Sequence, residues 1–303
     1  MPRHSRLARL QQITTLLVLA SALGWLLLHW ARSPLTAIAG ALAIGYGQAW
    51  FLALEFIMMY WVCRGGPQPR PAPARLIAAW WAEAWHAPRV FFWRQPFRWR
   101  AIPDAQAPAS MGRRGVVFIH GFVCNRGFWT PWLKHLRQQE RAFVAVNLEP
   151  VFGSIDAYVP AVEHAVQAVT RATGMPPVLV CHSMGGLAAR AWLRDAREAS
   201  RVHRIVTIGT PHRGTWLARF SRTRNGDQMR RGGAWLAQLE RDEAARPLPP
   251  FTCWYSDSDN IVFPVETATL PGADNRLVKG AAHVQLAFVP EVVAGTLQLL
   301  EGE

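Results

Sequence analysis

The sequence predicts an α/β domain with a mostly parallel, doubly wound sheet, preceded by an N-terminal transmembrane helical hairpin. Three observations carry this. From Gly115 onward, short apolar runs alternate with stretches of helical spacing, the pattern of a parallel sheet covered on both faces by helices. Inside that region, the apolar run 178–181 passes through Cys-His-Ser-Met-Gly-Gly into an Ala-rich segment, a strand turning sharply into a helix. Ahead of it, two long apolar stretches occupy the first 64 residues.

The elements follow in order. Residues 115–120 and 142–148 read as the first two strands, and 155–172 as a helix. The strand 178–181 meets a helix over 185–199. Strands are predicted at 202–208, 252–255 and 276–279. A closing helix covers 290–300, with Pro290 acceptable in its first turn. Residues 215–250 form a lid, in which Arg219, Arg222, Arg224, Arg230 and Arg231 stand beside Trp216, Leu217, Phe220, Trp235 and Leu236. Such a lid suits a lipid surface or an acyl chain below it, or else a solvated helix pair. Ligands of such sheets bind at the carboxyl ends of the strands.

Charge separates the two parts of the chain. The formal net charge is +13. Residues 1–114 hold 13 Lys+Arg against 3 Asp+Glu, whereas residues 115–303 hold 20 against 17. The excess positive charge therefore lies beside the apolar segments, which favours anionic lipid as a partner. No zinc-finger spacing or RNA-recognition signature is present, so nucleic acid is not an expected partner. Arg outnumbers Lys by 31 to 2, a hint of a GC-rich bacterial genome.

The first apolar stretch, residues 10–31, carries no formal charge and is long enough to span a bilayer as a helix. The second, about 34–62, has Glu55 as its only charge. Glu55 is read as lying near a helix end or facing the partner helix. A single span with an interfacial segment and a cleaved signal are the alternatives. Arg3, Arg6 and Arg9 precede the hairpin and Arg64, Arg70 and Arg75 follow it. Positive flanks on both sides place both ends on the cytoplasmic side of a bacterial inner membrane. Residues 65–75 form a proline-rich linker. Residues 76–100 mix five Trp with Arg, suited to a headgroup layer or to packing on the following domain. The membrane anchor is thus residues 1–64, the linker and Trp/Arg segment 65–110, and the catalytic domain 111–303. Cys63, Cys124, Cys181 and Cys253 form no C-x-x-C pair and fit a reduced, cytosol-facing domain.

Ser183 is the candidate nucleophile. A tight strand-to-helix turn lifts a serine hydroxyl out of the sheet and demands small residues two before and two after it. Gly185 meets that need; Cys181 stands where a first Gly is usual. A serine needs a base, which an acid orients, and in this topology they follow in the order Ser, acid, His. His283 follows the acid candidates, in the loop after the last strand. His182, His203 and His212 precede them and read as structural. Asp259 and Asp257 both follow the strand at 252–255. Asp259 is preferred because Ile261 and Val262 anchor its loop in the core; Asp257 suits backbone hydrogen bonds in the turn. An oxyanion hole needs two backbone N–H groups, expected from Phe122 and Met184. This chemistry calls for no metal or organic cofactor.

Four blocks together resemble the bacterial lipases and related esterases of the α/β-hydrolase fold, over about residues 115–300. They are Val-Phe-Ile-His-Gly-Phe at 117–122, His-Ser-Met-Gly-Gly at 182–186, Gly-Thr-Pro-His-Arg-Gly-Thr at 209–215, and Tyr-Ser-Asp-Ser-Asp-Asn-Ile-Val at 255–262 with Gly-Ala-Ala-His at 280–283. The resemblance implies an α/β-hydrolase fold with a helical lid, the acid at Asp259 and the base at His283. It implies hydrolysis of an acyl ester or lipid through an acyl-enzyme. An acyltransferase or thioesterase on the same fold, and a non-catalytic membrane scaffold, are the other readings.

Overall fold

A computed structural model describes residues 5–65, 71–105, 110–196 and 198–301. Arg3, Arg70 and residues 66–69 of the proline-rich linker lie outside them.

Six strands form one wholly parallel sheet: β1 (Val116–Ile119), β2 (Phe143–Ala145), β3 (Val178–His182), β4 (Arg204–Ile208), β5 (Phe251–Ser256) and β6 (Asp274–Val278). Their spatial order is β2-β1-β3-β4-β5-β6. The first three strands are buried throughout, which is why they read as unbroken apolar runs instead of alternating ones.

Alternation of side chains sorts the sheet into two cores. Val117 and Ile119 face one core with α7 (Val159–Thr173) and α8 (Met184–Ala196). Val116 and Phe118 face the other with α6 (Thr130–Gln138) and α12 (Pro290–Gln298). The segment 215–250, expected as a lid, contains α9 (Arg224–Gln228) and α10 (Ala234–Ala244). A four-residue helix, α11 (His283–Leu286), starts at the histidine singled out above.

The N-terminal part is helical: α1 (Arg6–Trp30), α2 (Pro34–Gly45), α3 (Gly47–Val62), α4 (Pro73–Pro88), a π-helical turn over Arg89–Arg94, and α5 (Gln95–Phe97). Among the described residues, α1 alone is a single helix long and apolar enough to cross a membrane. Its 25 residues extend about 37 Å at 1.5 Å per residue. Leu16, Leu17, Leu27 and Leu28 on it are exposed. Ser5 caps it, its Oγ accepting from the Ala8 N–H at 3.2 Å.

The second apolar stretch departs from the single helix expected over 34–62. It is two helices bent by 56° where Gly45 and Gly47 flank Tyr46. Glycine weakens helix continuation, and α3 turns away to pack on the sheet domain. Phe56 and Met59 of α3, Leu76 and Ala79 of α4, and Phe263 and Ala282 form one apolar cluster. Glu55 accordingly faces the catalytic domain, not a partner helix: its Oε2 accepts from Asn260 Nδ2 at 2.7 Å.

Of the two expectations for residues 76–100, packing on the following domain is observed for one face of the segment. Ala79, Glu83, Ala84, Ala87 and Val90 are buried, while Trp81, Trp85 and Trp93 are exposed.

Candidate active site

The site sits at the carboxyl ends of the strands. β3 ends at His182 and α8 begins at Met184, so Ser183 is the whole turn between them. Its φ is 54°, in the left-handed region that costs a non-glycine residue about 1–3 kcal/mol. The surroundings impose it. The Ser183 N–H donates to the Ile208 carbonyl at 2.9 Å. The Ser183 carbonyl accepts from Thr210 Oγ1 at 2.8 Å and from the Gly186 N–H at 3.1 Å. A Cβ on Gly185 would lie 2.3 Å from the Ile119 carbonyl oxygen, so the position after Met184 admits no side chain. At the other end of the turn, Cys181 is fully buried opposite Ile119 and Thr207. Burial pushes its thiol pKa well up, which makes it a poor source of thiolate.

The segment after β1 lies directly against the serine. A Cβ on Gly121 would come 2.8 Å from the Ser183 Cβ. His120 fixes this loop: its Nε2 accepts from the Leu148 N–H at 3.0 Å, so its Nδ1–H donates to the Gly121 carbonyl at 2.9 Å. Burial lowers the His120 pKa to about 4, which keeps it neutral. Phe122 lines the cavity over Ser183, and Met184 is buried at the start of α8.

The two aspartates behave differently. Asp259 is 2 % exposed. Its Oδ1 accepts from the Ile261 and Val262 N–H groups at 2.9 and 2.8 Å, and its Oδ2 lies 2.8 Å from His283 Nδ1. Asp257 instead accepts from the Gly280 N–H at 2.7 Å and pairs with Arg75 at 3.2 Å. One carboxylate orients the imidazole; the other ties the turn.

His283 is buried. Burial alone would lower its pKa, but the Asp259 charge and hydrogen bond, aided by Glu83 and Glu55, raise it. His182 is buried beneath it, with Nε2 3.1 Å from the His283 carbonyl and its ring stacked on Phe128 at 4.4 Å. His212 is buried at Thr207 Oγ1, 3.0 Å away. His203 is partly buried, and its N–H donates to the Pro177 carbonyl at 2.9 Å.

Ser183 and His283 open into one cavity of about 590 Å³, within the size range of small-molecule sites. Leu217, Ala218 and Met229 of the lid wall one side, and Phe51, Leu52 and Glu55 of α3 another. The lid is pinned to the sheet helices through Arg190, which forks onto Glu243 at 2.8 and 2.6 Å and donates to the His212 carbonyl at 2.9 Å.

Sequence reasoning missed Thr210 and Asn260 as site-building residues. Thr210 lies in the Gly-Thr-Pro-His block and Asn260 directly follows Asp259, so position could have flagged both. It also missed Glu83, for which no local signal exists.

Residues 116–296 match the model of the alpha/beta hydrolase family. No curated sequence matches the chain closely enough to count as a relative. Among solved structures, it is similar to a Bacillus licheniformis lipase, BlEst2, in mature form. That match has a TM-score of 0.56 and 16% identity, and covers 62% of this chain and 92% of the other. Aspergillus fumigatus lipase B aligns with a TM-score of 0.56 at 17% identity, covering 68% of this chain and 57% of that one. The Legionella pneumophila phospholipase PlaB aligns with a TM-score of 0.50 at 13% identity, covering 63% and 60%. These likenesses concern the fold. The N-terminal 115 residues precede the family match. The chain belongs to the α/β-hydrolase family.

Proposed function

We propose that this hydrolase is a membrane-associated serine esterase or lipase, with Ser183 as nucleophile, His283 as general base and acid, and Asp259 as the residue that orients His283. The observation that carries the reading is the 2.8 Å contact of Asp259 with His283, in a cavity where His283 shares the wall with a strained Ser183.

Ser183 Oγ attacks the ester carbonyl as His283 takes its proton. Asp259 holds the imidazole and stabilises the imidazolium that forms. The Phe122 and Met184 amides receive the oxyanion. His283 returns the proton to the departing alcohol, leaving an acyl-Ser183 ester. Water, deprotonated by His283, then releases the acid. The apolar walls given by Leu217, Ala218 and Met229 support an acyl chain as the bound group. The apolar, exposed α1 supports attachment at a membrane; placing the catalytic domain on the cytoplasmic side rests on the positive flanks alone, Arg6 and Arg9 before the apolar stretches and Arg64 and Arg75 after them.

Turnover of p-nitrophenyl esters by the full chain in detergent tests the reading. Ser183→Ala is expected to remove it; turnover equal to the unmodified chain would refute Ser183 as nucleophile.

A further inference from the structure

The backbone that carries His283 is held by acids from outside the family's domain. Three consecutive amides follow one pattern. The His283 N–H donates to Asn260 Oδ1 at 3.1 Å. The Val284 N–H donates to Glu83 Oε1 at 2.8 Å, and the Gln285 N–H to Glu83 Oε2 at 2.9 Å. Asn260 is itself held by Glu55, at 2.7 Å from its Nδ2. Glu83 is 1 % exposed and Glu55 5 %, and both line the cavity that holds Ser183 and His283.

Two buried carboxylates in one small region are expensive to desolvate. Apolar helices packed on a domain need none. Glu83 has both oxygens engaged on the first turn of α11, where backbone N–H groups lack helical partners. The engagement fixes the loop at the residues directly after the catalytic imidazole, while Glu55 fixes it through Asn260 directly before.

We propose that Glu83, supported by Glu55, is a positioning residue of this active site, so that helices α3 and α4 complete the hydrolase by holding the His283 loop in register with Ser183. The inference rests on the serine hydrolase reading above. Neither acid touches the reacting atoms. Each acts through the backbone and through charge at His283, which is faced by Asp259, Glu83, Glu55 and His182. Burial raises the Glu83 pKa to about 7, so this acid titrates in the range where the base works.

The test compares the full chain with Glu83→Gln and Glu55→Gln in detergent. The readouts are kcat, KM and the pH profile on a p-nitrophenyl ester, with circular dichroism to confirm folding. A glutamine at 83 keeps the shape but loses the charge and offers an acceptor to only one of the two N–H groups. Glu83→Gln is expected to lower kcat by roughly 10- to 100-fold, the scale of a small misplacement of reacting groups, with KM within about twofold. The acid limb of the profile should move to lower pH, because a negative charge that raises the His283 pKa is gone. Glu55→Gln keeps an acceptor for Asn260 and should show a smaller loss in kcat, again with KM within about twofold. It carries the test if Glu83→Gln does not fold. A wild-type kcat and an unmoved acid limb in the folded variants would overturn the inference. If the unmodified chain also fails to react with a fluorophosphonate, the hydrolase reading falls with it; a reactive wild type with indifferent variants removes only the positioning role.

Discussion

The Asp259 carboxylate meets His283 Nδ1 at 2.8 Å with both of its oxygens engaged, one on the imidazole and one on the amides of Ile261 and Val262. Fixed in this way, the acid cannot follow the ring; the ring must follow it. Replacement by asparagine should therefore misorient His283. Asp259→Asn is expected to lower kcat by roughly 10³–10⁴-fold. Asp257→Asn, which loosens a turn without touching the imidazole, should change kcat less than tenfold by the same assay.

The pH profile follows from the same contact. The base must be neutral to accept a proton, and its pKa lies above 6.5 in the folded enzyme. Plots of kcat/KM against pH should thus rise through a midpoint above 6.5. In any active Asp259→Asn preparation the midpoint should fall, since burial would then be opposed only by Glu83 and Glu55. An acid limb centred below 6.5 in the wild type would count against His283 as base.

Chain-length preference tests the cavity. Ala218 lies on its lid wall and is 6 % exposed. Ala218→Trp places a large ring in the space assigned to the acyl chain. The KM for p-nitrophenyl decanoate should rise by roughly tenfold while that for the acetate stays within about twofold. Equal effects on both esters would show that this wall does not bind the chain.

Stability tests the lid anchor. Arg190 is fully buried and Glu243 nearly so. Arg190→Met leaves a buried carboxylate without its partner, a loss of about 3–5 kcal/mol. Calorimetry should show a lowered Tm, by roughly 2–4 °C for each kcal/mol. The double variant Arg190→Met/Glu243→Leu should recover most of it, because no charge is then stranded.

The grouping of Ser183, Asp259 and His283 at one end of the sheet was legible in the chain for a physical reason. Ser183 sits in a turn whose backbone demands Gly185, so the constraint is written within three residues. Asp259 follows a strand that reads as an apolar run, and His283 follows the short strand after it, read over 276–279 and found at Asp274–Val278, which places both at the same edge of the sheet. The parallel sheet was legible mainly through its first three strands, which are buried throughout; β6 is largely exposed. The helices were harder. Residues 34–62 look like one span by composition, yet α3 packs on the domain because Phe56 and Met59 find Phe263 and Ala282, a pairing about 200 positions apart in sequence. Glu55 and Glu83 were opaque for the same reason: their partners, Asn260, Val284 and Gln285, are equally remote. Arg190 and Glu243 looked like ordinary helix charges until the fold buried them together.

The central claim is that Ser183 is a nucleophile activated by His283. Its most direct measurement is intact-mass and peptide analysis of the full chain after a fluorophosphonate, beside the Ser183→Ala and His283→Ala variants. The account predicts one stoichiometric adduct on the wild type, mapped to the peptide containing Ser183, with none on Ser183→Ala and greatly slowed labelling of His283→Ala. An adduct on another residue, or undiminished labelling of Ser183→Ala, would contradict it.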